Sequence, residues 1–333
     1  MGKRKAIALL SGGLDSALAV KLMLDQGIEV MGVFLKSPFG CPTNAHTVAD
    51  HLQIPLKIVD KGAAYIDLVQ NPQFGYGRNM NPCIDCRIYM FLMAKRVMNE
   101  EGADFVITGE VLGQRPMSQI RPAMEIIDHE SGMKRLVLRP LSAKHLHPTL
   151  PEIEKWVDRN RLLNISGRSR KFQMQLASEL GLKGYGSPAG GCLLTDPNFS
   201  GRLSEFFKNE KWKSHSMTEV NLLRYGRHFY LSDGSHLLLG RNERENEIVW
   251  REAKSEVESG KAAFFRPLFS GPSAVLWGCC PTPVIRQEAG ELILRYTTKE
   301  VGENIQVEVL WNREKSEFSV NVSARVLPMV TSG

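Results

Sequence analysis

The 333-residue chain has no apolar run approaching the roughly 18 residues that a membrane-crossing helix needs, so no membrane association is expected. Internal repeats and low-complexity segments are also missing, which excludes solenoid and fibrous architectures. The apolar run Ala6 to Leu10 follows a basic start, as in an export signal, but Ser11-Gly12-Gly13 cuts it short. It reads instead as a first strand, and a cytoplasmic location is the expectation. Cysteine is sparse, with six residues at positions 41, 83, 86, 192, 279 and 280. In a cytoplasmic chain structural disulfides are not expected, so the clustering of these residues matters more than their even number.

What is present is ordinary for a folded chain. The 43% hydrophobic and 23% charged residues supply buried cores and exclude wholesale disorder, and the length suggests about two domains. The formal charge is +6, and nearly all of the excess falls in the first 200 residues. Lys155, Arg159, Arg161, Arg168, Arg170 and Lys171 stand against the single acid Asp158 in one short stretch. Such a cluster suits a polyanion, because neutralised phosphates release counterions; a solvated helix face is the plain alternative.

Residues 5–10 read as a buried strand, 15–26 as a helix closed by Gly27, 29–35 as a strand, 46–53 as a helix and 55–59 as a strand. A long amphipathic helix is predicted over 87–101, directly after the cysteine pair, and a strand over 105–108. This alternation predicts an α/β fold with a doubly wound parallel sheet, whose ligands bind beyond the C-terminal strand ends. After Gly201 the pattern changes to a hairpin around Ser232-Asp233-Gly234, a charged helix over 242–259, and half-exposed strands that include 291–296 and 305–311. The expected organisation is a first domain at 1–200, a linker at 201–215 and a second, α+β domain at 216–333.

Ser11-Gly12-Gly13-Leu14-Asp15-Ser16 links the first strand to the first helix. Two glycines allow a tight turn with N–H groups at close range, and the helix start favours an anion, so the turn can hold a phosphate chain. Asp15 fits beside phosphates as a Mg²⁺ ligand or a helix cap. The Lys-Ser/Thr ending of a Walker loop is absent, and a simple strand-to-helix turn is the alternative. The six residues resemble the signature of the PP-loop ATP pyrophosphatase (adenine nucleotide alpha hydrolase) superfamily. That resemblance implies ATP binding, transfer of AMP to an oxygen and release of pyrophosphate.

Asn81-Pro82-Cys83-Ile84-Asp85-Cys86 and Gly190-Gly191-Cys192-Leu193 lie about a hundred residues apart. Closed zinc sites want four ligands, and only three candidates cluster. Three thiolates suit a [4Fe–4S] cluster with one open iron. Alternatively, Cys83 or Cys86 carries a persulfide and Cys192 acts in disulfide exchange, or the pair is a simple redox motif. Buried, inert thiols are the preferred reading for Cys41, Cys279 and Cys280.

Thr108-Gly109-Glu110-Val111-Leu112-Gly113-Gln114, followed by Ser118-Gln119, is similar to a segment of the tRNA 4-thiouridine synthetase family, although Arg115-Pro116-Met117 departs from that family's spacer. The cysteine elements resemble those of the tRNA 2-thiouridylases. In the second half, Tyr225-Gly226-Arg227-His228-Phe229 and Leu239-Gly240-Arg241-Asn242 resemble the RNA-binding domain of NFACT proteins; a charged helix cap is the alternative.

Together the resemblances imply an ATP-dependent tRNA sulfurtransferase. Ser11, Gly12, Gly13, Leu14, Asp15, Ser16, Thr108, Gly109, Glu110 and Gln114 would contact ATP, with Mg²⁺ near Asp15. Asp15, Cys83, Cys86 and Cys192 would be catalytic, and the three cysteines would ligate a [4Fe–4S] cluster. Arg168, Arg170, Lys171, Arg227, Arg241 and Asn242 would hold tRNA. The partners would be tRNA and a sulfur donor, either sulfide or a persulfide carrier protein, and a homodimer is compatible with the chain. Lys144 and Arg139 are further candidates for phosphate neutralisation. The competing classes are a PP-loop amidotransferase or ligase acting on a small molecule, and a non-catalytic RNA-binding protein.

Overall fold

The computed structural model describes residues 3–40, 43–186, 192–208, 216–297 and 305–320. Cys41 and the segment Ser187 to Gly191 lie outside the described residues. The chain divides into two compact units, Met1–Thr195 and Asp196–Gly333.

In chain order the first unit contains β1 (Lys5–Leu9), α1 (Leu14–Leu24), β2 (Glu29–Lys36), α2 (Ala45–Leu52), β3 (Leu56–Asp60), α3 (Ala64–Gln70), α4 (Cys83–Glu100), β4 (Phe105–Thr108), α5 (Arg121–Glu130), β5 (Val137–Leu138), α6 (Leu150–Ile153) and α7 (Lys171–Glu179). Its five strands pair in the order β3-β2-β1-β4-β5, all of them parallel. The central strand β1 shows why both faces must be covered. Ala6, Ala8 and Leu10 enter the core shared with α1, α2 and α7, while Ile7 and Leu9 enter the core shared with α4 and α5. A strand buried on both sides reads as a continuous apolar run, and each large side chain so buried contributes about 1.5–3 kcal/mol. The sheet grows outward from β1 in both directions, so the crevice between the ends of β1 and β4 is the switch point at which such folds bind ligands. This is the α/β architecture expected from the sequence.

The second unit contains α8 (Pro197–Lys208), α9 (Met217–Leu222), β6 (Arg227–Tyr230), β7 (His236–Leu239), α10 (Glu243–Glu258), β8 (Ala262–Pro267), β9 (Ala274–Trp277), α11 (Pro283–Arg295), β10 (Gln306–Trp311) and β11 (Glu314–Ser319). Its antiparallel sheet runs β11-β10-β8-β9-β7-β6. Val249, Ala253 and Val257 of α10 cover one face, and Ile285, Ala289 and Ile293 of α11 cover the other.

Two local expectations change. Residues 291–295, expected as a strand, belong to α11, because the Thr282 side chain caps a helix that opens at Pro283 and its apolar residues recur at intervals of four. Part of the span expected as a linker is α8, where Phe199, Leu203 and Phe206 form a buried stripe.

Candidate functional site

The turn after β1 is held from three sides. Gly12 has φ +75°, and a Cβ there would lie 2.5 Å from the backbone N of Ala45 at the start of α2. Gly109, directly after β4, is equally tight: its Cβ would lie 2.5 Å from the backbone of Asp15 and Ser16. The Gly186 N–H donates to the Gly12 carbonyl at 2.9 Å. Within the turn, Ser16 Oγ donates to the Gly13 carbonyl at 2.8 Å and lies 3.2 Å from Ser11 Oγ. Gly13 is the N-cap of α1, so the N–H groups that follow have no intrahelical acceptor and can face an anion. Leu14 sends its side chain into the core, which leaves only its backbone for a ligand.

Asp15 is bracketed by Gln114, whose Nε2 donates to Oδ2 at 2.9 Å, and by Arg170, 3.6 Å from the same oxygen. Its other oxygen, Oδ1, is buried without a hydrogen-bond partner, as is Gln114 Oε1. A buried acceptor without a partner is costly, and a cation at the phosphates would satisfy both oxygens.

Thr108 and Glu110 lie deeper. Glu110 is 2% exposed and is paired with Arg139 at 2.9 Å and Arg87 at 3.4 Å. Burial opposes its charge, but these two guanidinium groups hold its carboxyl below the usual carboxylate range. Thr108 Oγ1 lies 3.3 Å from the same carboxylate. These side chains build an internal network that also fixes Asp128 through Arg139. Arg139 is therefore a structural cation, and Lys144 donates to the Asn160 carbonyl.

The thiols occupy the ends of the neighbouring strands. The long helix begins at Cys83, earlier than expected, so Cys83 and Cys86 share the first turn of α4. Asp85 between them accepts from the Gln73 and Phe74 N–H groups at 2.8 and 3.1 Å, which latches the preceding loop onto the helix. Cys86 Sγ is met by Lys61 Nζ at 3.3 Å and Tyr65 OH at 3.0 Å. Lys61 directly follows β3 and is 5% exposed. Burial alone would raise the Cys86 pKa, but Lys61, Tyr65 and Arg87 together pull it below the ordinary thiol value. Burial pushes Cys83 up, and it pushes Cys192 up to about 11.

Cys192 lies 3.6 Å from the carbonyl of Phe39, in the loop after β2, and the Phe39 ring packs on Tyr65 with centroids 6.1 Å apart. Cys192 feels the charges of both Cys86 and Cys83, so the trio shares one neighbourhood. Among the described residues no three His, Cys, Asp or Glu side chains gather tightly enough for a single metal ion. A cubane cluster spreads its thiolates over its corners and needs no such tight nest, and three thiols beside a buried cation suit its anionic donor set. Lys61 and Tyr65 were not anticipated from the sequence. The available signal was the position of Lys61 at the C-terminal end of a parallel strand.

The basic stretch is not uniform. Arg159 pairs with Glu152, Arg161 donates to the Asp25 carbonyl and Arg170 faces Asp15, whereas Arg168 and Lys171 are exposed. In the second unit the residues expected to contact RNA each also make a tie within the unit. Asn242 caps α10 by accepting from the Glu245 N–H, Arg227 lies over the Tyr296 ring, and Arg241 pairs loosely with Glu245 at 3.8 Å.

A parallel sheet with a glycine turn clamped at its switch point fits a PP-loop ATPase-type α/β fold for the first unit; the second is a separate domain built on an antiparallel sheet. Residues 2–146 match the thiamine biosynthesis protein (ThiI) family, and residues 226–326 match the NFACT protein RNA binding domain family. A tRNA-specific 2-thiouridylase of Francisella tularensis subsp. novicida is 23% identical over 281 residues, covering 78% of this chain and 74% of that protein. A "Probable tRNA sulfurtransferase" of Methanothermobacter thermautotrophicus is 32% identical over 149 residues, covering 41% of this chain and 36% of that protein. The crystal structure of a 4-thiouridine synthetase–RNA complex with bound ATP superposes with a TM-score of 0.40 at 21% identity, over 62% of this chain and 51% of that one. The two family matches and the two relatives agree with the resemblances read from the motifs.

Proposed function

We propose that this chain is an ATP-dependent tRNA sulfurtransferase. The observation that carries the reading is the placement, at successive strand ends of one sheet, of a phosphate-cradling turn after β1 and of three thiols beside the ends of β2 and β3. A small-molecule ligase of the same fold would need the first feature and not the second.

In this reading the α1 start and the Ser11–Ser16 turn bind the ATP phosphates, and Asp15 holds a Mg²⁺ ion through its unpartnered oxygen. A pyrimidine carbonyl oxygen attacks the α-phosphorus, the bond to the bridging oxygen breaks, and pyrophosphate leaves. The base then carries AMP on that oxygen, which converts a poor leaving group into a good one. Catalysis of this step rests on positioning and charge stabilisation. A sulfur nucleophile next adds at the same carbon and expels AMP, leaving a thiocarbonyl. A [4Fe–4S] cluster held by Cys83, Cys86 and Cys192 would supply an open iron to bind sulfide. Without it, Cys86 is the residue suited to carry a persulfide received from a persulfide carrier, whose outer sulfur adds at the carbon and expels AMP. Cys192 then attacks Cys86 Sγ and breaks the S–S bond to free the thiocarbonyl, and an external thiol reductant reopens the Cys86–Cys192 disulfide so formed. Lys61 balances the negative charge at Cys86 on either route. tRNA is the substrate, and Arg168 and Lys171 are its exposed cationic contacts; Arg227 and Arg241 add contacts in the second unit.

The test is anaerobic purification with iron and sulfide analysis, followed by assay of pyrophosphate release and of thionucleosides in tRNA. Pyrophosphate release that depends on tRNA, and thionucleosides lost on Cys86→Ala, are expected. An iron-free active protein would remove the cluster, and absence of any tRNA-dependent pyrophosphate release would overturn the assignment.

A further inference from the structure

The N-terminal end of α7 carries an aromatic residue that neither core nor site explains. Phe172 is 52% exposed, one residue after the exposed Lys171 and four after the exposed Arg168. A lone exposed apolar side chain is ordinary on a protein surface, but Phe172 stands between cations, a setting that suits a partner. Three observations say what that partner is. Positions 159–178 contain no acidic residue, so the segment that carries the ring is cationic and suits a polyanion. The helix that bears Phe172 is fastened to the phosphate turn, because Arg170 at its N-cap lies 3.6 Å from Asp15 and the next turns bury Gln173 and Ala177 against α1. The ring itself is a flat apolar face flanked by cations, the composition that holds unpaired bases by stacking while the cations take the phosphates.

We propose that the start of α7 is a docking platform for an unpaired base of the RNA substrate, with Phe172 stacking on the base and Arg168 and Lys171 holding the adjacent phosphates. This inference rests on the proposed RNA substrate and names the residue that seats it. The platform holds a base next to the target nucleotide while the target itself reaches the turn. It is sequence-tolerant, since every base offers a π-face. Arg170 belongs to both sides, tying the platform to the carboxylate beside the nucleotide.

The test uses the full chain and an unmodified tRNA transcript. Phe172→Ala and Phe172→Leu should each weaken tRNA binding about tenfold, the size of one base stack, and raise the KM for tRNA with little change in kcat. Phe172→Trp should retain binding, and its indole emission should be quenched when tRNA is added. ATP affinity and unfolding temperature should stay at the wild-type value throughout. Wild-type-like tRNA binding by the Ala and Leu variants would overturn the platform while leaving the sulfurtransferase reading intact. Failure of the wild-type chain to bind tRNA at all would instead remove that reading. A shift of Phe172→Ala from dimer to monomer in light scattering would reassign the surface to a second copy of the chain, and the proposal would fall.

Discussion

Lys61 is a buried cation whose nearest anion source is a thiol, and this sets the order in which the cysteines react. At neutral pH Cys86 is the thiolate-rich member, because its pKa lies below the ordinary thiol value, while Cys192 at about 11 stays protonated. Of the three clustered thiols in metal-free protein, iodoacetamide should therefore label Cys86 first and Cys192 only in strong alkali, as read by peptide mass spectrometry. Lys61→Met should move the Cys86 labelling inflection to higher pH; unchanged labelling would show that the amine is not what lowers it. Two left-handed glycines, one crowded and one open, give a second residue-level expectation. Gly12→Ala places a Cβ 2.5 Å from backbone and at φ +75°, whereas Gly27→Ala meets nothing within 4 Å at φ +79°. Both should lose about 1–2 kcal/mol of stability from the left-handed backbone. Only Gly12→Ala should also lose ATP affinity, tenfold or more in calorimetric titration, each tenfold being about 1.4 kcal/mol. The turn was legible in the sequence because six contiguous residues carry it. Lys61 and Tyr65 were not, because a lone lysine and a lone tyrosine acquire meaning only when the sheet carries them to Cys86.

Among the elements, the pairing of β6 with β7 encloses a polar chain inside an aromatic box. Glu219 meets His236 Nδ1 at 2.9 Å, His236 Nε2 meets His228 Nδ1 at 3.0 Å, and His228 Nε2 meets the Tyr225 carbonyl at 2.8 Å. The carbonyl can only accept, so His228 donates from Nε2, His236 donates from Nε2, and Glu219 must donate its own proton to His236. Burial accordingly raises Glu219 to about 9 and lowers His236 to about 3, and it lowers His228 well below the usual imidazole value. The sign of the pH dependence follows. Below the ordinary histidine pKa the unfolded chain takes up more protons on the two imidazoles, so stability rises with pH up to about 6.5. Above that, the folded chain keeps the Glu219 proton that the unfolded chain has lost, so stability falls by up to about 1.4 kcal/mol per pH unit until roughly pH 9. Denaturant titrations of the second unit's unfolding should trace this maximum, and Glu219→Gln should flatten its alkaline side. No sequence pattern signals this buried relay, because a histidine's partners come from distant positions. Elements with a clear period and a cap, such as α10, were legible. Residues 291–295 were misread because a short apolar run looks the same in a strand and in a helix until the cap at Thr282 is taken into account.

For the whole molecule, the two units have separate cores, so each has its own stability to lose. ATP binds to the first in the proposed reading and should raise only that unit's transition, by the mass-action term that any native-state ligand adds. Differential scanning calorimetry with and without ATP and Mg²⁺ checks this: one transition moves and the other stays. If both move together, the units unfold as one. Among the described residues no helix is long and apolar enough to cross a membrane. The order β3-β2-β1-β4 has one more implication. Neighbouring strands stand about 4.8 Å apart, so the phosphate turn after β1 and the amine after β3 are separated by two rungs, roughly 10 Å of hydrogen-bonded ladder. That ladder acts as a ruler: in the proposed reading the activated carbon and the incoming sulfur have to be brought together across a span wider than a single pyrimidine ring.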